Sequence, residues 1–228
     1  MWRTAVVPKV HISIVLDRSG SMESCRADAV GAVNSYLRQA RDDAAMEARL
    51  SLVIFDSQSI DTIRDRVPVN SCPELTLEEY QPRAATPLLD AVGYSVGILD
   101  CLSDKDERRI MAIMTDGIEN SSREYTHEKL RSVLDRKQKE EGWLILYLGA
   151  GHDSWTQAGQ IGIAPTHAAD FSKHAIEETA NVLHSAGKRY AAAPPGQAVS
   201  LDSGFTAEER NRLSGRKGRM DGKDARPR

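Results

Sequence analysis

Four short apolar runs, set between longer stretches with helical spacing, restrict this chain to one broad architecture. The runs are 10–16 (VHISIVL), 49–55 (RLSLVIF), 109–115 (RIMAIMT) and 143–148 (WLILYL). Short runs of this kind mark strands buried on both faces. Between the first two, residues 22–43 repeat Ala29, Val33, Tyr36, Leu37 and Ala40 at helical spacing. Residues 88–102 do the same with Leu88, Val92, Val96 and Leu99. A third helix is expected over 126–140, capped at Thr126 and stopped at Gly142. Strands alternating with helices predict an α/β fold, a doubly wound, mostly parallel sheet flanked by helices on both faces.

The weaker signals fill in the rest. Residues 59–66 alternate in the manner of an exposed edge strand. Residues 68–87 are irregular and rich in Pro, Ser, Glu and Thr. A short helix is expected over 154–159, a weak sixth strand over 164–171 and a last helix over 174–192. After Pro194 the periodicity dissolves. The expected domain is therefore 8–192, followed by a Gly/Arg/Lys-rich disordered tail, 193–228.

Composition narrows the function classes. A net charge of −3 argues against wholesale nucleic-acid binding. The charge is uneven: residues 196–228 hold 8 Lys+Arg against 5 Asp+Glu, so a basic tail follows an acidic body. Asp221 and Asp224 interrupt that basic stretch, and it has no aromatic residue after Phe205, so a solubilising tail is expected rather than a nucleic-acid arm. The three cysteines, Cys25, Cys72 and Cys101, form no C-x-x-C pair, which argues against structural zinc and a disulfide framework. The first residues lack a signal-type apolar core, and no run is long enough to span a bilayer. A cytoplasmic protein is expected, with no membrane contact and no indication of its oligomeric state.

Chemistry concentrates where the first run ends. Asp17, Ser19 and Ser21 follow Leu16 as D-x-S-x-S, with Gly20 easing the turn. A carboxylate and two hydroxyls are hard oxygen donors, suited to Mg²⁺, Mn²⁺ or Ca²⁺ and poorly suited to soft metals. Thr86 lies in RAATPLLDAV at the start of the second long helix, with Pro87 expected as its first helical residue. Asp116 lies in MTDGIEN at the end of another strand. In a doubly wound sheet, ligands bind outside the carboxyl ends of the strands, where Asp17 and Asp116 fall. Arg18, Glu119, Asn120, His152 and Asp153 are expected on loops at the same edge, as exposed polar residues able to shape partner choice.

The order and chemistry of Asp17, Ser19, Ser21, Thr86 and Asp116 resemble the von Willebrand factor A domains. Their metal-ion-dependent adhesion site (MIDAS) uses D-x-S-x-S on one loop, a Thr on a second and an Asp on a third. The runs TDGIENSSREYT and LGAGHDSWTQAG are also similar to standalone prokaryotic and bacteriophage members. The resemblance covers about residues 8–190. It implies a Rossmann-like fold and an Mg²⁺ site, with Mn²⁺ or Ca²⁺ as alternatives. Ser19 and Ser21 would bind the ion directly, and Thr86 directly or through water. Asp17 and Asp116 would act mostly through bound waters. The open position would take a Glu or Asp from a partner protein, which is binding rather than enzymatic chemistry.

Two other functions compete. Asp17 at a strand end could serve a Mg²⁺-dependent, phosphatase-like hydrolase as an aspartyl nucleophile. The usual pattern of that type has an Asp two residues on, where this chain has Ser19. Neither a G-x-x-x-x-G-K-[ST] loop nor a G-x-S-x-G elbow is present. Nucleic-acid binding through the tail is the weakest alternative, because the body is acidic.

Overall fold

The computed structural model describes residues 7–101, 107–150, 154–171, 176–193 and 204–214. Six strands form one sheet: β1 (Lys9–Asp17), β2 (Glu47–Phe55), β3 (Ile60–Pro68), β4 (Arg108–Thr115), β5 (Leu144–Gly149) and β6 (Ala168–Asp170). Their order is β3-β2-β1-β4-β5-β6. All neighbours pair in parallel except β2 and β3, which form an antiparallel pair. The chain order reverses between β1 and β4, so the carboxyl ends of these two central strands flank the switch point of the sheet.

Helices cover both faces. α1 (Arg26–Asp42), α5 (Ile176–Ala192) and α6 (Ala207–Leu213) pack on one side, and α2 (Leu88–Asp100), α3 (His127–Lys139) and α4 (Ser154–Gln160) on the other. The central strands divide their side chains between two cores with a period of two. On β4, Ile110, Ala112 and Met114 face α1 and α5, whereas Met111 and Ile113 face α2 and α3. On β5, Leu144, Leu146 and Leu148 take the first side, and Trp143 (just before it), Ile145 and Tyr147 the second. Burial on both faces is the physical reason these runs are so apolar.

One polar residue of the first run, His11, is paired across the sheet. His11 is fully buried, and its Nε2 lies 2.9 Å from Ser51 Oγ on β2. Burial, aided by Arg66, lowers its pKa to about 4, so the imidazole is neutral at physiological pH.

Several boundaries differ from those expected. The helix expected from residue 22 begins as a 3₁₀ segment, Gly20–Cys25, and becomes α-helical at Arg26. The sixth strand shrinks to three residues after a short Pro165–His167 turn. Thr126 does cap α3, accepting the Lys129 N–H at 3.2 Å, and Gly142 beyond its end has φ 69°. The irregular stretch 72–87 is ordered from outside. Asn34 both donates to the Leu75 carbonyl and accepts its N–H, each at 2.8 Å. Arg64 grips Glu79 through both guanidinium nitrogens and also reaches the Pro73 and Glu74 carbonyls.

The boundary set at 192 needs correction. Within the stretch expected as disordered tail, α6 forms with a capping box, Thr206 accepting from Glu209 N and Glu209 from Thr206 N. Phe205 and Leu213 are buried in the core beside α5. Arg189 on α5 clasps Glu209 bidentately at 2.8 and 2.9 Å. Seven residues give too short a helical pattern to stand out, and tertiary contacts supply its stability. The rest of 193–228, apart from Ala193 and 204–214, lies outside the described residues.

The sheet edges are unlike each other. β3 pairs with β2 through register shifts, carries Arg66 at φ 52° and ends in Pro68. β6 is only three residues long and has α6 against it. Among the described residues, no helix is long and apolar enough to cross a membrane, and Cys25, Cys72 and Cys101 are free thiols.

Candidate metal site at the carboxyl edge of the sheet

The five residues singled out by their order gather at the switch point. Asp17 ends β1 and is fully buried. Its Oδ1 accepts the Ser19 N–H at 2.7 Å, which folds the chain back after the strand. Its Oδ2 accepts the hydroxyl of Thr115, the last residue of β4, at 2.5 Å. Ser19 Oγ lies 3.1 Å from Ser21 Oγ, and Ser21 donates to Asp116 Oδ1 at 2.5 Å. Thr86 is buried beside them. A β-carbon on Gly117 would stand 2.7 Å from Thr86 Oγ1 and 3.2 Å from Asp17 Oδ2. One point in space is therefore within reach of the Thr86 hydroxyl and the Asp17 carboxylate, and only a glycine leaves it open.

Residues that were not singled out complete the frame. Thr115 Oγ1 donates to Asp17 and accepts the Gly117 N–H at 3.0 Å, tying the two strand ends together. Tyr80 is fully buried and its hydroxyl donates to the Asp17 carbonyl. Thr115 is adjacent to Asp116, so its position was visible in the sequence. Tyr80 lies in the irregular stretch and gave no signal.

Arg18 departs from the expectation of an exposed loop residue. Its side chain is buried against the β2–β3 turn. It donates to Asp56 Oδ2 at 2.7 Å, Asp61 Oδ2 at 2.9 Å and Ser59 Oγ at 2.8 Å. Arg83 adds a second bond to Asp56 Oδ2 at 2.9 Å. Burial alone would raise the Asp56 pKa, but hydrogen bonds from Arg83 and the Gln58 N–H, with the charge of Arg18, hold it below the usual range. Pro87 also differs: it occupies the N-cap position of α2, and the helix starts at Leu88. Glu119 and Asn120 do lie at this edge, hydrogen-bonded to the start of α2. His152 and Asp153 lie outside the described residues.

The donor set suits a hard divalent cation. It comprises two carboxylates and three hydroxyls, with no imidazole or thiolate among them. Among the described residues, no group of three or more His, Cys, Asp or Glu is placed to hold a metal, so a site here depends on the hydroxyls. Burial pushes the Asp17 carboxyl up to about 6, against lowering hydrogen bonds from Thr115 and Ser19, and Asp116 raises it further by repulsion. A cation between the two carboxylates would relieve both effects.

No protein-family model matches the chain, nor does any curated protein. Solved structures do match. The pilus adhesin SpaC of Lactobacillus rhamnosus GG, in its open conformation, superposes with a TM-score of 0.64 at 15% identity, covering 82% of this chain and 30% of that one. The PilB minor pilin of Streptococcus sanguinis gives 0.56 at 12%, covering 84% and 65%. A von Willebrand factor type A protein of Catenulispora acidiphila gives 0.55 at 11%, covering 78% and 42%. The chain spans less than two thirds of each. At these identities the likeness concerns the fold alone, and with the strand order it makes this an α/β protein of von Willebrand factor A-like fold.

Proposed function

We propose that the chain is a metal-dependent protein-binding module. Mg²⁺ is held at Asp17, Ser19, Ser21, Thr86 and Asp116, and a Glu or Asp of a partner protein completes its coordination. The observation that carries this reading is the meeting of three separate loops at one edge of the sheet, with the Asp17 carboxylate accepting the Thr115 hydroxyl and the Asp116 carboxylate the Ser21 hydroxyl. Keeping the carboxylates hydrogen-bonded around the ion leaves it electrophilic toward an outside anion. Mg²⁺ keeps several waters and takes few carboxylates from any one partner, so one exchangeable water is the natural place for the partner's oxygen. The fold shared with a pilus adhesin and a minor pilin supports an adhesion-type role over a catalytic one.

The phosphatase-like alternative is disfavoured by geometry. Both Asp17 oxygens are engaged, by Ser19 N and the Thr115 hydroxyl, and the residue is fully buried, which ill suits an attacking nucleophile. The free thiols fit a reducing cytoplasm. The pilus proteins of like fold suggest a cell-surface setting instead, and fractionation of the source cells decides between the two.

The test is thermal unfolding in EDTA and with added Mg²⁺, Mn²⁺ or Ca²⁺, for wild type and Asp17→Ala. An ion that binds only the folded state raises the midpoint by mass action. A rise in wild type that vanishes in the variant supports the site; no rise with any ion refutes it. A peptide library with a fixed central Glu or Asp, probed in Mg²⁺ and in EDTA, then tests the partner chemistry. Mg²⁺-dependent turnover of a phosphate ester, abolished by Asp17→Asn, would favour the hydrolase.

A further inference from the structure

We infer that Asn120 is a positioning residue for Thr86, and that Thr86 belongs mechanically to the segment carrying Asp116 rather than to its own loop. This inference rests on the metal reading above. It follows from a change of hydrogen-bond partners between one residue and the next. Residues 83–85 are bound to the first loop and the β2–β3 turn. Arg83 N donates to the Arg18 carbonyl at 2.8 Å, and Gly20 N to the Ala84 carbonyl at 3.1 Å. Ser57 N donates to the Ala85 carbonyl at 2.9 Å, and Ala85 N to Ser57 Oγ at 3.1 Å. At Thr86 the partners change. Its N–H donates to Asn120 Oδ1 at 2.9 Å, and Asn120 N donates back to its carbonyl at 3.1 Å.

The following residues continue in the same direction. The first amides of an α-helix have no partner within it. In α2, Leu89 N donates to Glu119 Oε2 at 3.0 Å and Asp90 N to Ser122 Oγ at 3.1 Å. In return, the Asp90 carboxylate accepts the N–H groups of Arg123, Glu124 and Tyr125 at 2.7, 3.0 and 2.8 Å. Glu119 is itself fixed by the Ser121 and Ser122 amides at 2.9 and 2.8 Å. At Gly93 a β-carbon would stand 2.3 Å from the Tyr125 ring, so that ring lies directly on α2. The start of α2 and residues 117–125 thus form one clasped body. The seam falls between Ala85 and Thr86, just after Ala84, a non-glycine residue at φ 60°, a conformation that costs L-residues energy.

The site residues divide unevenly along this seam. Asp17, Ser19 and Ser21 stand on the first loop and Thr86 on the clasped body, while Asp116, bonded to Ser21, lies where β4 leads into residues 117–125. Asn120 is solvent-exposed, yet its side chain holds the backbone of the buried Thr86. The test is Mn²⁺ affinity, read from the electron paramagnetic resonance signal of free Mn²⁺, on the full chain as wild type, Asn120→Ala and Asn120→Asp. Aspartate keeps an acceptor for Thr86 N; alanine has none. The expected result is affinity about tenfold or more weaker in Asn120→Ala, and as tight as wild type or tighter in Asn120→Asp. In EDTA, hydrogen exchange at the Thr86 amide should accelerate at least about tenfold in the alanine variant only. If wild type binds Mn²⁺ and Asn120→Ala binds it equally well, the positioning role is refuted alone. The same holds if the aspartate variant is as weak as the alanine one. If wild type fails to bind Mn²⁺, the metal reading falls and the positioning role with it.

Discussion

Gly117→Ala should separate the proposed metal site from the fold that carries it. The added methyl group would sit 2.7 Å from Thr86 Oγ1, 3.2 Å from Thr86 Cγ2 and 3.2 Å from Asp17 Oδ2. Ordinary contact needs about 3.5 Å, so the Thr86 hydroxyl has to retreat by roughly half an ångström or more. Metal–ligand distances tolerate shifts of only about 0.2 Å. A disturbance of this size around a metal typically weakens binding about 10–100-fold. At a Mg²⁺ concentration of 100 times Kd, an ion at the proposed site would stabilise the wild type by about 2.7 kcal/mol. A thirtyfold weaker site retains about 0.9 kcal/mol, a loss of about 1.8 kcal/mol. For a domain of this size that is roughly 4–7 °C of the Mg²⁺-induced rise in Tm. The backbone at Gly117 is not in the left-handed region, so the cost in EDTA is confined to overpacking, about 1–3 kcal/mol. The assay is paired thermal melts in EDTA and Mg²⁺ with direct titration of Mg²⁺. A variant less stable in EDTA but with an undiminished Mg²⁺ shift and unchanged Kd would refute the reasoning, leaving Gly117 a packing residue only.

Other perturbations follow from the same geometry. Asp56→Ala leaves the Arg18 guanidinium, 8% exposed, without its main partner, and should cost about 3–5 kcal/mol in urea unfolding; a loss below about 1 kcal/mol would show that Asp61 and Ser59 suffice. Asp17, raised from 3.8 to about 6, keeps in the native state a proton that the unfolded chain releases. In EDTA its contribution is therefore fully present below about pH 4 and is lost as pH rises through about 6, by up to about 3 kcal/mol. Metal binding has the opposite sign because it needs the ionised carboxylate, so the Mg²⁺-induced Tm rise should be small at pH 5 and large at pH 7.5. A rise that does not change with pH would count against Asp17 as a participant. Phe205→Ala should cost about 3–5 kcal/mol if α6 is part of the domain; wild-type stability after truncation at residue 203 would show that it is not.

How much could be read from the sequence varied with the range of the interactions involved. The buried strands were legible because burial on both faces demands apolar residues at every position, as in 143–148. The candidate site was legible because its donors sit at strand ends and helix starts, places the element pattern already located. What escaped was set by side chains reaching across the fold. Arg18 looks like a loop residue until Asp56, 38 positions on, turns it inward. The stretch 72–87 looks irregular because its order comes from Asn34, Arg26 and Arg64, on other elements. Asn120 reads as an exposed polar residue, and only its bond to Thr86 N gives it a role. Helix α6 is held by two apolar anchors, Phe205 just before it and Leu213 at its end, too few to establish a period.

The edges of the sheet restrict how another protein can approach. Recruitment by strand addition needs a long, flat, unpaired edge with regular register. β3 has register shifts, a left-handed Arg66 and a terminal proline, while β6 offers three residues with a helix alongside. A peptide laid along either side would find few consecutive backbone partners. If the proposed site binds a protein, that protein is directed to approach end-on, along the strand axes, toward the rim where the loops after β1 and β4 emerge. Such a contact is made by a few projecting side chains rather than by main-chain pairing. The strength of such a contact would depend on chemistry at a point, and one residue exchanged there would connect or disconnect the two proteins while the fold remains as it was.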